Sequence, residues 1–287
     1  MPRKNLRVAL VSMKHILGDV DFNLKHHRMW FERCLKHKPD FIGFPEFSLT
    51  GWVEKKEQAL GLNSAPVKEI ESWAKKRRVC VATCLVEKRG GRLYNACVIA
   101  GPKGRIGVMR KINLVSSEAR HYEAGREFPV FDVAGCKMGV NTCADATRYE
   151  MMRVLSFRGA EVIFAPHANS LKPYGNSRAG WVKWRMETWP FFARHSRVAI
   201  AGCSCAGLFG KPREGEEETK YCGGAMVMDW EGKPVKRAGG KTKRETLIVA
   251  DIDLADLREA RKNHDPEFRP DIVYNRPTGW VLGSCGK

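Results

Sequence analysis

The amino-acid sequence predicts an α/β fold in which mixed β-sheets are covered by helices. Ten short apolar stretches are rich in β-branched residues and are bounded by Gly, Pro or Asp, as strands are. Five segments between them have helical spacing of apolar residues. Turn sequences such as KRGGR (88–92) and DWEGKP (229–234) join some strands directly, as in antiparallel hairpins. Hairpins beside strand–helix units indicate mixed pairing, and we expect two such sheets with helices outside.

The elements follow in chain order. The predicted strands are 6–13, 40–45, 78–87, 93–101, 105–110, 137–143, 161–166, 197–206, 224–229 and 246–253, and the predicted helices are 22–37, 66–76, 148–158, 179–195 and 254–263. In the first helix the apolar residues recur at helical spacing, opposite Lys25, Arg28 and Arg33. No repeat, linker or low-complexity stretch interrupts the pattern, so we predict a single domain over 1–287.

Composition and charge restrict the function. The chain has 287 residues, 43% of them hydrophobic, and 50 Lys+Arg against 32 Asp+Glu give a net charge of +18. This is a globular composition, and no apolar run approaches the ~20 residues of a membrane helix. The basic residues are dispersed, and an acidic run lies at 214–218. We therefore expect a solvated basic surface, weak attraction to anionic partners at most, no specific nucleic acid and no membrane.

The ten cysteines are expected to be reduced. The start of the chain resembles no signal peptide, which favours a cytoplasmic protein and buried free thiols. Cys80, Cys84, Cys203 and Cys205 all lie in strand-like segments, where cysteine packs as a small hydrophobe. The paired spacings of a zinc site are absent from the sequence, so no metal is predicted.

Three reactive residue types stand at the downstream ends of predicted strands. Glu46 follows DFIGFP, Lys111 follows RIGVMR and Cys143 closes KMGVNTC. Loops at strand ends collect the reactive groups of α/β proteins. Glu46 and Lys111 could neutralise one another, since a charge beside a buried strand is costly when unpaired. Singly, each residue also has an ordinary structural explanation, as a strand-end carboxylate, a solvated lysine or a core thiol.

The segment after Cys143 predicts a helix that starts close to the thiol. Thr147 and Glu150 have the spacing of a capping box. A thiol that faces a helix N-terminus and a nearby lysine has a lowered pKa and more thiolate at neutral pH. Such a cysteine is an activated nucleophile.

Three sequence blocks resemble the signatures of the nitrilase superfamily, the carbon–nitrogen hydrolases. They are FPEFSLTG (44–51), RKINL (110–114) and GVNTCAD (139–145). Their order and spacing fit that family across nearly the whole chain. Further similar stretches are EARHYEAG (118–125), GAEVI (159–163), YCGGA (221–225) and DIDL (251–254).

The resemblance implies an α-β-β-α sandwich with a Glu–Lys–Cys triad. Glu46 would be the general base, and Cys143 would attack the carbonyl carbon to form a thioester. Lys111 would stabilise the oxyanion, together with the backbone N–H of Ala144. Glu118 corresponds to a second glutamate that holds the lysine, although a loop salt bridge would also explain it. No cofactor is required.

The sequence departs from the amidase pattern beside the nucleophile. Amidase branches commonly have an aromatic residue where Ala144 stands and an arginine where Thr147 stands, while Arg148 is shifted by one position. The arginine that usually binds a substrate carboxylate in that branch is therefore not assigned to any residue of this chain. Thr188 likewise replaces a frequent asparagine.

Six substrate-binding residues are predicted from their proximity to the signature blocks: Trp52, His121, Ala144, His167, Asn169 and Trp189. For His167, a core histidine bonded to the backbone is an equal alternative. Trp189 belongs to a tryptophan series at helical spacing, which is more typical of packing than of binding.

The predicted function is a thiol amidohydrolase that acts on a linear amide or an N-carbamoyl compound, an activity of the EC 3.5.1 type. The alternatives are a true nitrilase and, outside catalysis, a basic nucleic-acid-binding or interaction protein. Tryptophan and glutamate usually follow the nucleophile in nitrile-hydrolysing members, whereas Ala144 and Asp145 follow it here, which favours amides. The resemblance also implies a homodimer or larger assembly. The C-terminal tail (about 264–287) is rich in proline and aromatic residues, so we expect it to pack on a partner subunit.

Overall fold

Twelve strands form two six-stranded sheets in a computed structural model that describes residues 3–175, 177–208, 220–238 and 244–262. The strands are β1 (Asn5–Ser12), β2 (Phe41–Gly43), β3 (Cys80–Arg89), β4 (Arg92–Gly101), β5 (Gly104–Arg110), β6 (Val130–Val133), β7 (Cys136–Val140), β8 (Val162–His167), β9 (Ala199–Ser204), β10 (Ala225–Met228), β11 (Pro234–Arg237) and β12 (Thr246–Asp253). The helices are α1 (Val20–Leu35), α2 (Ala65–Arg77), α3 (Tyr149–Phe157), α4 (Arg178–Ser196) and α5 (Leu254–Lys262).

Both sheets have mixed pairing, as the sequence predicts. The first has the order β12-β1-β2-β3-β4-β5, with β1, β2 and β3 parallel and the other pairs antiparallel. The second has the order β11-β10-β9-β8-β7-β6, with β7, β8 and β9 parallel. The parallel strands bring the carboxyl ends of β2 and β7 to loops that carry polar residues.

The main core lies between the two sheets. Phe41 on β2 packs edge-to-face on Phe164 of β8, with ring centroids 5.2 Å apart, inside a cluster built from both sheets. A second apolar cluster lies under α1 and α2, and a third lies under α3 and α4. These layers form the α-β-β-α sandwich, so the predicted fold class is confirmed.

Local sequence explains where the helices begin. The Asp19 side chain accepts a hydrogen bond from the Phe22 N–H and caps α1, while Pro66 lies in the first turn of α2, where proline loses no hydrogen bond. Helix α2 then buries Val67, Ile70 and Ala74 at helical spacing.

The sequence analysis missed two strands and misplaced one cap. Strand β6 has only four residues, too few to establish a period, and β11 is exposed at every position and has no apolar face to identify it. The predicted capping box is wrong: α3 begins at Tyr149 with Arg148 as N-cap, and Thr147 Oγ1 donates to Ala144 O at 2.7 Å. A short hydroxyl side chain bonds to nearby backbone as readily as it caps.

Nine cysteines fall among the described residues, and all nine are free and buried. None of the helices in these ranges combines the length and hydropathy needed to cross a bilayer. The predicted partner-binding tail at about 264–287 lies outside the described residues.

Candidate active site

Glu46 lies in the loop after β2, and buried polar contacts hold this loop in place. Phe47, the next residue, has φ +57°, a left-handed conformation that is unusual for a bulky residue. Ser48 Oγ then lies 3.1 Å from His27 Nε2 of α1, and Thr83 Oγ1 of β3 lies 3.1 Å from the same nitrogen. These contacts direct Glu46 into the interior, where it is 1% exposed.

The Lys111 ammonium lies between two buried glutamates. Its Nζ donates to Glu46 Oε1 at 2.9 Å and to Glu118 Oε1 at 2.8 Å. Glu118, on a 3-10 turn at Glu118–Arg120, also accepts from the Val115 N–H at 2.9 Å. All three side chains are about 1% exposed, so the ammonium is held in a fixed position by charge-assisted hydrogen bonds.

Asn95 on β4 completes this cluster, and the sequence analysis missed it. Its Nδ2 donates to Glu46 Oε1 and to Glu118 Oε1, both at 2.8 Å. The available signal was an amide inside the apolar strand LYNACVIAG, because a buried amide needs polar partners. The sequence did not indicate which partners it meets, since they lie 49 and 23 residues away along the chain.

Cys143 lies between β7 and a 3-10 turn at Asp145–Thr147. Its backbone has φ +52°, and its N–H donates to Pro166 O at 2.9 Å. The side chain is 8% exposed, lies close enough to Glu46 for that carboxylate to act on the pKa of the thiol, and accepts a hydrogen bond at Sγ from Asn169 Nδ2 at 3.3 Å. A left-handed cysteine fixed by its own backbone bond presents its thiol in one direction, towards Glu46 and Lys111.

The thiol is not activated by a lowered pKa, contrary to the prediction. Burial, reinforced by the Glu46 carboxylate, raises the pKa of Cys143 to about 12, although Lys111 opposes the shift. No α-helix begins at the thiol, because a 3-10 turn separates it from α3. The thiol is therefore protonated at neutral pH.

The neighbouring Glu46 carboxylate has a raised pKa as well. Burial raises its pKa, with Glu118 adding to the rise and Lys111 opposing it. For Lys111, burial favours the neutral amine, but the neighbouring Cys143, Glu46 and Glu118 outweigh it and raise the pKa. The lysine is consequently a permanent cation beside a carboxylate of increased basicity.

The segment after Cys143 is tied to the segment after Lys111. Asp145 Oδ1 accepts from the Asn113 N–H at 2.7 Å and from Asn113 Nδ2 at 2.9 Å, and Oδ2 accepts from the Ile112 N–H at 3.3 Å. The N–H of Ala144 donates to no group among the described residues. Asp145 thus ties the segment after Lys111 to the segment after Cys143, and the adjacent Ala144 N–H is a free donor among the described residues.

Two of the predicted substrate contacts are buried. Trp189 is 1% exposed and packs in the cluster under α3 and α4, against Gly202. His167 is 0% exposed, and its ring nitrogens lie 3.0 Å from Nη2 of Arg185. Glu46 and Lys111 are equally buried, so burial alone does not exclude a substrate contact, and both assignments stay predictions. Asn169, in contrast, contacts the thiol itself.

Trp52 and His121 form a separate group around Glu54. Trp52 Nε1 donates to Glu54 Oε1 at 3.3 Å, and His121 Nε2 lies 3.4 Å from the same oxygen. Both lie beside Tyr122. The Tyr122 ring is 5.5 Å from that of Trp52, and the Tyr122 N–H donates to Glu118 O. They contact none of Glu46, Lys111 and Cys143 in the described ranges.

The arrangement can perform nucleophilic acyl chemistry. A thiol, a carboxylate base, a fixed ammonium and a free backbone N–H converge around one point, which meets the requirements of covalent catalysis with oxyanion stabilisation. No group of three or more metal-ligating side chains occurs within the described part of the chain.

Comparisons with known proteins agree with this fold. The carbon-nitrogen hydrolase family model matches residues 7–262. A nitrilase of Pyrococcus abyssi is 29% identical over 266 residues, covering 90% of this chain and 94% of its own length. The omega-amidase of Mus musculus is 26% identical over 272 residues, covering 89% of this chain and 91% of its own length. A structure of the amidase from Nesterenkonia sp. AN1 superposes with a TM-score of 0.71 at 19% identity, covering 92% of this chain and 97% of that one. It carries an acetamide moiety added covalently at its active-site cysteine. The chain therefore belongs to the carbon-nitrogen hydrolase family, within the nitrilase superfamily.

Proposed function

We propose that this protein hydrolyses a linear amide or an N-carbamoyl compound through a thioester on Cys143. The observation that carries the proposal is a buried carboxylate that acts on the pKa of the Cys143 thiol and accepts a hydrogen bond from a buried lysine. A protonated thiol, a carboxylate with a raised pKa and a cation in one buried cluster are the parts that acyl transfer needs.

The first half of the reaction forms the acyl-enzyme. Glu46 accepts the thiol proton as Sγ bonds to the carbonyl carbon of the substrate. The oxyanion that develops is stabilised by the Lys111 ammonium and by the N–H of Ala144. The C–N bond then breaks, and the leaving nitrogen takes the proton from Glu46 and departs as ammonia or an amine.

The second half returns the enzyme to its starting state. Glu46 removes a proton from water, and the hydroxide oxygen attacks the thioester carbon. The same donors stabilise the second oxyanion. Its collapse breaks the C–S bond, and the sulfur recovers the proton from Glu46 as the acid leaves. Glu118 and Asn95 hold Glu46 and Lys111 in place throughout.

An amide-type carbonyl is the preferred substrate in this proposal. Ala144 is small and leaves space beside the thiol for a trigonal group and its tetrahedral intermediate. The omega-amidase of Mus musculus and the Nesterenkonia amidase support an amide substrate. The Pyrococcus abyssi relative is named a nitrilase, so nitrile hydrolysis is the competing activity.

Ammonia release from a panel of ω-amides, N-carbamoyl amino acids, N-carbamoyl amines and nitriles tests the substrate class. We expect kcat/KM for the best amide-type substrate to exceed that for the best nitrile by at least ~10-fold, which is about 1.4 kcal/mol of transition-state stabilisation. Cys143→Ala should abolish turnover, while Cys222→Ala, which removes a buried thiol outside the cluster, should retain it. Fastest turnover of a nitrile would overturn the substrate class, and activity in Cys143→Ala would overturn the mechanism.

We also propose that the protein self-associates and acts in the cytoplasm. Helices α3 and α4 pack side by side, and Phe191 on α4 is 48% exposed next to Tyr149, an apolar surface suited to a second copy. Light scattering at micromolar concentration should give a mass above the 32.4 kDa of one chain. A stable monomer would contradict this.

A further inference from the structure

Arg185 is a buried cation without a carboxylate partner in the described ranges. The side chain is 0% exposed, and its Cζ lies 5.7, 4.4 and 4.6 Å from the ring centroids of Trp181, Trp184 and Trp189. Three tryptophans stabilise the guanidinium through their faces. Burial lowers the pKa of Arg185 to about 10, so the group is still charged at neutral pH. Such a charge is costly to bury, and its remaining contacts point to a role for it.

These contacts lead to the nucleophile. Arg185 Nη2 lies 3.0 Å from the His167 ring nitrogens and donates to Asn169 Oδ1 at 3.4 Å. Burial, with the positive charge of Arg185, lowers the pKa of His167 well below its usual value, so this ring is neutral and can accept the hydrogen bond. Asn169 in turn donates from Nδ2 to Cys143 Sγ at 3.3 Å.

The chemistry of arginine determines which way the asparagine amide points. A guanidinium can only donate, so the amide must turn its oxygen towards Arg185. Its nitrogen then faces the sulfur. With the opposite orientation, two donors would meet at Arg185, and the amide oxygen would face the position where the thiolate charge develops.

We propose that Arg185 is a positioning residue that orients the Asn169 amide, so that Asn169 Nδ2–H donates to Cys143 Sγ when the thiol loses its proton to Glu46. This rests on the proposed function, in which Cys143 is the nucleophile. Asn169 acts on the sulfur, whereas Lys111 and the Ala144 N–H act on the substrate oxygen. One set of donors therefore stabilises the charge on the sulfur, and the other stabilises the charge on the substrate oxygen, in the same step.

The test measures the reactivity of Cys143 without using a substrate. Iodoacetamide alkylates thiolates, and mass spectrometry of the Cys143 peptide separates this thiol from the other nine cysteines. The rate is measured against pH for the parent and for Asn169→Asp, Arg185→Met and Arg185→Lys. Arg194→Met, which changes an exposed arginine of the same helix, and Asn5→Asp, at the exposed start of β1, are the controls.

We expect Asn169→Asp and Arg185→Met to slow alkylation of Cys143 at pH 8 about tenfold and to move its pH profile to higher pH. Asn169→Asp places an oxygen instead of an N–H beside the sulfur, and Arg185→Met permits the amide to turn its oxygen there. Arg185→Lys, which retains a donor, should recover part of the rate, and the controls should match the parent. KM should change less than kcat. If Arg185→Met does not fold, the alkylation profile of Asn169→Asp alone tests the proposal.

An unchanged alkylation profile in folded Asn169→Asp or folded Arg185→Met would overturn the proposal. The failure of the proposed function would be seen separately, as amide hydrolysis by Cys143→Ala or as an absence of hydrolysis in the parent. Alkylation does not depend on turnover, so the two results remain distinguishable.

Discussion

At the scale of single residues, the charges around Lys111 determine the chemistry. Two carboxylates and a thiol surround one ammonium in a buried cluster. One cation cannot neutralise all three groups as anions, so in the proposed reaction the thiol stays protonated until a carbonyl carbon is in place. The raised pKa of Glu46, caused first by burial, makes this carboxylate a stronger base than an exposed glutamate.

Replacing Glu46 should lower the rate of catalysis and leave the stability of the fold nearly unchanged. Glu46→Gln keeps the size and the hydrogen bond with Asn95 or Lys111 but cannot accept a proton. We expect kcat for the best amide to fall by ~10² or more, with the unfolding midpoint nearly unchanged. Glu54→Gln, at an exposed carboxylate that accepts from Trp52 and pairs with His121, is the matched control. A rate in Glu46→Gln within a few-fold of the parent would show that the base is another group.

At the scale of elements, close contact between the two sheets determines where Glu46 lies. Gly43, the last residue of β2, faces Phe164 of the other sheet, and a Cβ on Gly43 would lie 2.5 Å from Phe164 Cε2. Phe164 is itself fixed against Phe41. The loop that carries Glu46 starts at this contact, so the packing of the sheets sets the position of Glu46, the proposed base.

A methyl group at this contact should disturb both stability and activity. We expect Gly43→Ala to lower the free energy of unfolding by about 1–3 kcal/mol, the usual cost of overpacking, and to reduce kcat because β2 must move. Gly61→Ala is the control, since a Cβ there has no heavy atom within 4 Å. Urea unfolding of both variants measures the difference. Equal unfolding free energies would mean that the sheets adapt without cost.

At the scale of the whole molecule, buried neutral histidines make stability depend on pH. Burial lowers the pKa of His15 to about 4 and of His27 to about 3, and lowers that of His167 as well. Between these values and the ordinary pKa near 6.5, the unfolded chain binds more protons than the folded one. The free energy of unfolding therefore rises with pH in this window and falls as pH drops below about 6.5.

Removing one of these groups should reduce that dependence. We expect the unfolding free energy of His27→Gln to fall less steeply than that of the parent between pH 6.5 and 4, even if the variant is less stable at pH 7. His37→Gln, at an exposed position after α1, should retain the parental slope. Urea unfolding at several pH values gives the slopes, and identical slopes for parent and His27→Gln would contradict the assignment.

Much of the architecture could be predicted from local patterns. Ten of the twelve strands and all five helices in the described ranges correspond to predicted segments within a few residues. Each has apolar residues at the spacing of its own element, which is a local property. Strands β6 and β11 lacked this signal because one is short and the other fully exposed.

The sequence by itself determined the sandwich and the three residues at strand ends, Glu46, Lys111 and Cys143, because periodicity and motif spacing are local. Only the tertiary structure decided that Asn95 joins the two glutamates, that Arg185 meets Asn169, and that Trp189 belongs to the core. It also reversed the expected pKa shift of the thiol. The physical reason is that burial and the meeting of polar groups from distant parts of the chain depend on how the sheets and helices pack, and no local pattern in the sequence encodes this.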